Sequence, residues 1–118
     1  MEDFILKEID RIGQMLIGIA RKLGLLRDET PNYSLTDVRE EFTQANLPID
    51  LDSVLQQDNP IAYLVENAGL SDQALEMFVD ILFHSSDLSE PRKQSLLSDT
   101  LTYLDNKGYF SFRLHSLV

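Results

Sequence analysis

Cysteine and tryptophan are both absent from this chain of 118 residues. Without cysteine there is no disulfide framework, no thiolate zinc site and no cysteine nucleophile. Long apolar runs are also missing: residues 12–20, the uncharged stretch near the N-terminus, are far fewer than the roughly 20 apolar residues that span a bilayer. The opening Met-Glu-Asp lacks the basic start of a secretory signal. These absences predict a cytoplasmic protein.

Basic side chains are few. The chain has 10 Lys and Arg against 20 Asp and Glu, which gives a formal net charge of −10. Residues 1–27 are nearly balanced, with five basic and four acidic side chains, whereas residues 28–118 carry five basic and sixteen acidic ones. Such a field repels phosphate backbones and anionic lipids. We therefore predict no nucleic-acid partner and disfavour a membrane partner.

Hydrophobic residues make up 43% of the chain, enough for the core of one domain of this length. Near the N-terminus the apolar residues are spaced alternately by four and three, which is the heptad pattern of a bundle or coiled-coil helix. This pattern predicts a long amphipathic helix over residues 1–27, with an apolar seam. The seam consists of Ile5, Ile9, Ile12, Leu16, Ile19, Leu23 and Leu26. It is the candidate interaction surface, and three uses remain open: packing inside the chain's own core, self-association, or binding of another protein.

Residues that start and stop helices divide the rest of the chain. Pro31 cannot continue the first helix, so residues 28–33 are predicted to be a linker. Residues 34–118 are predicted to form an acidic helical-hairpin body, within a single domain over 1–118. Its predicted helices run from Ser34 or Thr36 to about residue 45, and over 51–57, 61–68, 72–85 and 90–107. The residues predicted to start the last four are Asp50, Asn59 followed by Pro60, Ser71 and Ser89. Residues 109–118 alternate apolar and polar side chains, which fits either a strand or a short helix capped by Ser111. We predict an all-α fold, a small helical bundle.

Two stretches resemble known families. Residues 60–82, and above all Asn67 to Phe78, are similar to the turn between the two helices of a tetratricopeptide repeat, with Ala74 and Phe78 at the small and aromatic positions. More broadly, residues 4–16, the helix pair at 60–85 and the ending at 108–112 are similar to a group of small uncharacterised bacterial all-helical proteins. That resemblance implies tetratricopeptide-like helical hairpins and a bacterial, cytoplasmic source. It implies no activity.

Four polar residues on the helix predicted over 72–85 and just beyond it could hold a divalent ion. Glu76, Asp80 and His84 are spaced by four residues, and Asp87 falls on the same face if the helix continues. The same stripe lies opposite the apolar residues of this helix, where a solvated face is expected. We interpret it as a solvated polar face and predict no metal site.

The chain matches no calcium-binding or catalytic sequence pattern. A calcium loop starting at Asp50 fails, because Leu55 occupies the position of its glycine and Ile61 that of its glutamate. His115 has no nucleophile or orienting carboxylate near it in the sequence. We therefore predict no catalytic residues and no cofactor, and interpret the chain as a non-catalytic protein–protein interaction or scaffold module whose partner is another protein or a second copy. The alternative hypothesis is a small-molecule or metal-binding sensor with a pocket between helices.

Overall fold

Short polar side chains begin the helices as the sequence predicts. In the computed structural model, which describes residues 10–25 and 31–118, the Ser34 hydroxyl accepts a hydrogen bond from the N–H of Asp37 at 3.3 Å. The Asp37 carboxylate accepts one from the N–H of Ser34 at 2.9 Å. Asn59 and Ser71 each accept a hydrogen bond from the N–H three residues later. These caps satisfy N–H groups that have no partner inside a helix.

Seven helices and no strand occur in the described residues. They are α1 (Arg11–Lys22), α2 (Leu35–Gln44), α3 (Leu51–Leu55), α4 (Pro60–Glu66), α5 (Asp72–Phe83), α6 (Glu90–Asn106) and α7 (Phe112–His115). The all-α prediction is confirmed for this part of the chain, and the C-terminal residues form a short helix capped by Ser111. None of the seven helices is long and apolar enough to cross a membrane.

Helix α5 lies at the centre of the molecule. It contacts α1, α2, α4 and α6, and its most extensive contacts are with α1 and α6. Eight of its twelve residues are buried, so it is enclosed on most sides rather than along one stripe. The apolar ones are Ala74, Leu75, Met77, Phe78, Val79, Ile81 and Leu82. The radius of gyration is 13.7 Å, close to the roughly 13.5 Å expected of a folded domain of this length.

Helix α1 ends five residues before the end predicted for the N-terminal helix. Gly24 adopts a left-handed conformation with φ +81°. The N–H of Gly24 bonds to the carbonyl of Arg21, and the N–H of Leu25 bonds to that of Ala20. This pair of bonds is a Schellman motif, which closes a helix at a glycine. The prediction of a helix over residues 1–27 is therefore wrong at its C-terminal end; residues 1–9 and 26–30 lie outside the described residues.

The last residue of the predicted linker, residues 28–33, packs into the core. Tyr33 is buried at 4% exposure, and its hydroxyl donates a hydrogen bond of 2.6 Å to the carbonyl of Ile81 in α5. Its own carbonyl accepts a hydrogen bond from the N–H of Ser86. Tyr33 therefore belongs to the core.

The predicted helical hairpins are matched only coarsely. Helices α4 and α5 contact each other, as do α5 and α6, so neighbours in sequence are neighbours in space. Helix α4 has only seven residues, however, which is shorter than the helix predicted over 61–68. The tetratricopeptide-like arrangement stays a prediction.

We expect alanine to have opposite effects at the two glycines that flank the end of α1. Gly24→Ala should lower the free energy of unfolding by about 1 kcal/mol, because an L side chain resists the left-handed conformation. Gly18 lies inside the helix, with nothing within 4 Å of an added Cβ, so Gly18→Ala should raise that free energy by about 0.5–1 kcal/mol. Urea denaturation of both variants measures the two changes. Equal effects at the two positions would show that α1 does not end at Gly24.

Candidate functional site

The heptad seam is used inside the chain where the structure describes it. Leu16 and Ile19 are almost fully buried in the core, and Ile12 and Leu23 are half-buried against it. The other members of the seam, Ile5, Ile9 and Leu26, lie outside the described residues. Leu16 and Ile19 cannot meet a partner unless α1 separates from α5.

The polar stripe on α5 holds a buried carboxylate. Asp80 is fully buried, and its Oδ2 accepts a hydrogen bond from Nε of Arg113 in α7. Asp80 also contributes to raising the pKa of the Tyr33 phenol, which burial raises most. A charged carboxylate in an apolar interior is costly unless a cation compensates it, so Arg113 ties α7 to the centre of the fold.

His84 is the second basic group beside Asp80. Its Nδ1 lies 2.9 Å from the main-chain oxygen of Asp80 and 3.1 Å from Oδ1 of the same residue. Oδ1 has no further partner among the described residues. The interaction of the ring N–H with the Asp80 side chain raises the pKa of His84 above its ordinary value of 6.5, although burial opposes the shift. The imidazolium is therefore favoured in the folded state.

The interpretation of the stripe as a solvated face is wrong at Asp80, because this carboxylate is fully buried and bonds to Arg113 of α7. Glu76 is half-buried, and Asp87 is exposed, where its Oδ1 accepts a hydrogen bond of 2.7 Å from the N–H of Leu35 at the start of α2. Within residues 10–25 and 31–118, no group of three or more His, Asp or Glu side chains is arranged to hold a metal ion. Asp80 and Asp87 thus make contacts between helices, with α7 and with the start of α2. His84 bonds to Asp80, one turn earlier, at the end of α5.

The candidate site is instead a groove of about 420 Å³ between α4 and α6. Its floor is apolar: Ile61 is 3% exposed, and Ala62, Val65 and Tyr103 are half-buried. The exposed residues that complete its lining are Asn59, Glu66, Asp99 and Thr102. Asn59 and Pro60 position the first turn of α4, since the Asn59 side chain accepts a hydrogen bond from the N–H of Ala62. The groove can therefore accept an apolar group between two polar edges.

Lys107 lies beside the aromatic residue of this groove. Its ammonium group is 5.3 Å from the centre of the Tyr103 ring and 2.9 Å from a carboxylate oxygen of Asp72. The hydrogen bond to Asp72 raises the pKa of Lys107. Tyr103 is thus held between the groove and a cation that already has an acidic partner.

A second apolar surface lies at the C-terminal end of the chain. Phe110, Phe112 and Val118 are 68%, 80% and 85% exposed. The Phe110 ring stacks on the imidazole of His115, with ring centres 4.7 Å apart. His115 Nε2 lies 3.4 Å from a carboxylate oxygen of Asp105. His115 therefore supports an aromatic side chain and approaches no nucleophile among these contacts.

Sequence patterns identified Asn59 and Pro60 as a helix start but did not identify the groove. The spacing of Ile61, Ala62 and Val65 places these residues on one side of α4. This spacing is the sequence pattern that bears on the groove. Which helix faces these residues depends on the contact of α4 with α6, and all of α5 lies between these two helices in the sequence. No local pattern records that contact.

Comparison with known proteins found no relative. No family model matches the chain, and neither a curated protein nor a solved structure is similar to it at a significant level. The resemblances to tetratricopeptide repeats and to small bacterial helical proteins therefore stay predictions.

We expect part of the stability to depend on the charge of His84. Because the folded state raises the pKa of His84, the stabilisation is complete below about pH 6.5 and is lost as the pH rises through the folded-state pKa. His84→Gln should remove this loss, whereas His115→Gln should keep it. Free energies of unfolding across this pH range measure the effect. The same pH dependence in wild type and His84→Gln would contradict the assignment.

Proposed function

We propose that this chain is a non-catalytic protein-binding module that holds a segment of another protein in the groove between α4 and α6. The observation that carries the proposal is the apolar floor of Ile61, Ala62, Val65 and Tyr103, which the groove leaves open between two helices. Grooves of this kind bind peptides and amphipathic helices by burying apolar side chains of the partner. We assign this function to the cytoplasm of a bacterial cell, on the composition and the resemblance given above.

The groove suits a partner better than the heptad seam does. Leu16 and Ile19 contribute to the core, so their use by a partner would require the contact between α1 and α5 to open. The groove needs no such rearrangement, since most interfaces form with little movement of the backbone. A second copy of the chain remains the other partner class for the exposed surfaces.

A second candidate function is that of a small-molecule sensor, favoured by the size of the groove. Its volume of about 420 Å³ lies within the roughly 300–1,000 Å³ of small-molecule sites. A small ligand that binds only the folded chain would raise the free energy of unfolding by about 2.7 kcal/mol at a hundred-fold excess over its Kd.

We expect Thr102→Trp to weaken the binding of protein segments strongly. Thr102 is exposed and lines the groove, so an indole at this position fills the groove without entering the core. Gln94→Trp is the matched control, because Gln94 is exposed on the same helix but does not line the groove. Peptides selected from a phage-displayed random library on the wild-type protein should bind Gln94→Trp normally. Their affinity for Thr102→Trp should be lower by a factor of about ten or more.

Equal binding to Thr102→Trp would mean that the selected peptides bind elsewhere, and it would contradict the proposal. If no peptide is enriched, the proposal also fails. A metabolite extract that raises the melting temperature of the wild type and of Gln94→Trp, but not of Thr102→Trp, would then favour the small-molecule sensor.

A further inference from the structure

We infer that the groove between α4 and α6 selects a protein segment in which a Lys or Arg side chain stands beside an aliphatic one. The inference rests on the proposed function and names the chemistry of the partner. It follows from the charge of the lining residues, from the state of the cations around them, and from the apolar floor between them.

Each side of the groove carries one carboxylate. Glu66 is the last residue of α4, and Asp99 lies in the middle of α6. Both line the groove, both are exposed, and no Lys, Arg or His lines it with them. Within residues 10–25 and 31–118, neither carboxylate lies within 4.0 Å of a basic nitrogen. The lining therefore has a net negative charge that the described part of the chain does not neutralise.

The basic side chains on α6 and next to it already have partners that do not line the groove. Lys107 pairs with Asp72, and the Arg92 guanidinium donates a hydrogen bond to the carbonyl of Leu55. Lys93 lies 3.9 Å from Glu90, one turn away on the same helix. Neutralising Glu66 and Asp99 with these groups would break existing contacts, so a cation from the partner is the better match.

The floor fits the carbon chain that such a partner brings. A Lys or Arg stem lies along apolar surface while its charged end stays in water. Between Val65 and Tyr103 an aliphatic side chain can lose its contact with water, and burial of this kind contributes roughly 25 cal/mol per Å² of apolar surface. An adjacent basic side chain then has Glu66 and Asp99 within its reach. The net charge of −10 also steers a basic segment toward the protein.

Other occupants match the charge less well. Residues 1–9 carry Glu2, Asp3 and Glu8 against the single base Lys7, so like charges oppose their entry. A second copy brings a surface with the same net charge of −10. Both occupants are nevertheless distinguishable outcomes, because neither would depend on basic residues supplied by a peptide.

The test uses the peptides that bind the wild-type groove and are blocked by Thr102→Trp. We expect these peptides to be enriched in Lys or Arg next to Ile, Leu or Val, compared with the unselected library. Synthetic copies should bind the double variant Glu66→Gln/Asp99→Asn about fourfold more weakly, because each exposed ion pair contributes a factor of about two.

The matched control is Glu40→Gln/Asp105→Asn, which removes the same amount of charge from exposed residues that do not line this groove. Its affinity should stay within about twofold of the wild type, since distant surface charges are screened at physiological salt. Circular dichroism of both double variants confirms that each is folded.

Two results would overturn the inference while leaving the proposed function intact. One is groove-binding peptides with no enrichment in basic residues. The other is equal weakening by the two double variants, which would show a response to net charge alone. If no selected peptide is blocked by Thr102→Trp, the proposed function fails as well.

Discussion

The apolar side chains of α5 stay out of water only because α1 covers one side of this helix and α6 another. Phe78 is fully buried, and its ring centre lies 5.7 Å from that of Phe42 in α2. Fully burying a side chain such as Leu or Phe contributes about 1.5–3 kcal/mol, so a helix with seven buried apolar residues makes a large contribution to the stability of a small domain. The positions of α1, α2, α4 and α6 follow from the need to cover it.

One polar residue, Asp80, adds a requirement to this arrangement. Asp80 lies on the enclosed helix, so the fold must bring a cation to it. Arg113 supplies the cation and places α7 over this side of α5, and His84 adds a second basic group. A buried ion pair is weak support for stability in itself, but removing one partner leaves an uncompensated charge. The C-terminal helix is therefore held in place by the same helix that organises the core.

The sequence predicted the features that depend on nearby residues. Ser34, Asn59 and Ser71 cap helices because their side-chain oxygens reach the N–H group three residues later. Asp80 was misinterpreted because its environment depends on Arg113, 33 positions away. The groove was missed for the same reason, since α4 and α6 are separated by all of α5. Local sequence patterns do not predict which helices pack on each side of α5, because long-range packing sets that arrangement.

Amide hydrogen exchange under native conditions measures most directly whether α5 is the element on which the fold depends. If it is, the amides of residues 76–83 exchange only when the whole domain unfolds, with the highest protection in the chain. The amides of α4 and α7 are then expected to exchange through smaller openings, because these helices are short and lie outside α5. Exchange of the α5 amides through local opening, with slower exchange in another helix, would contradict the account.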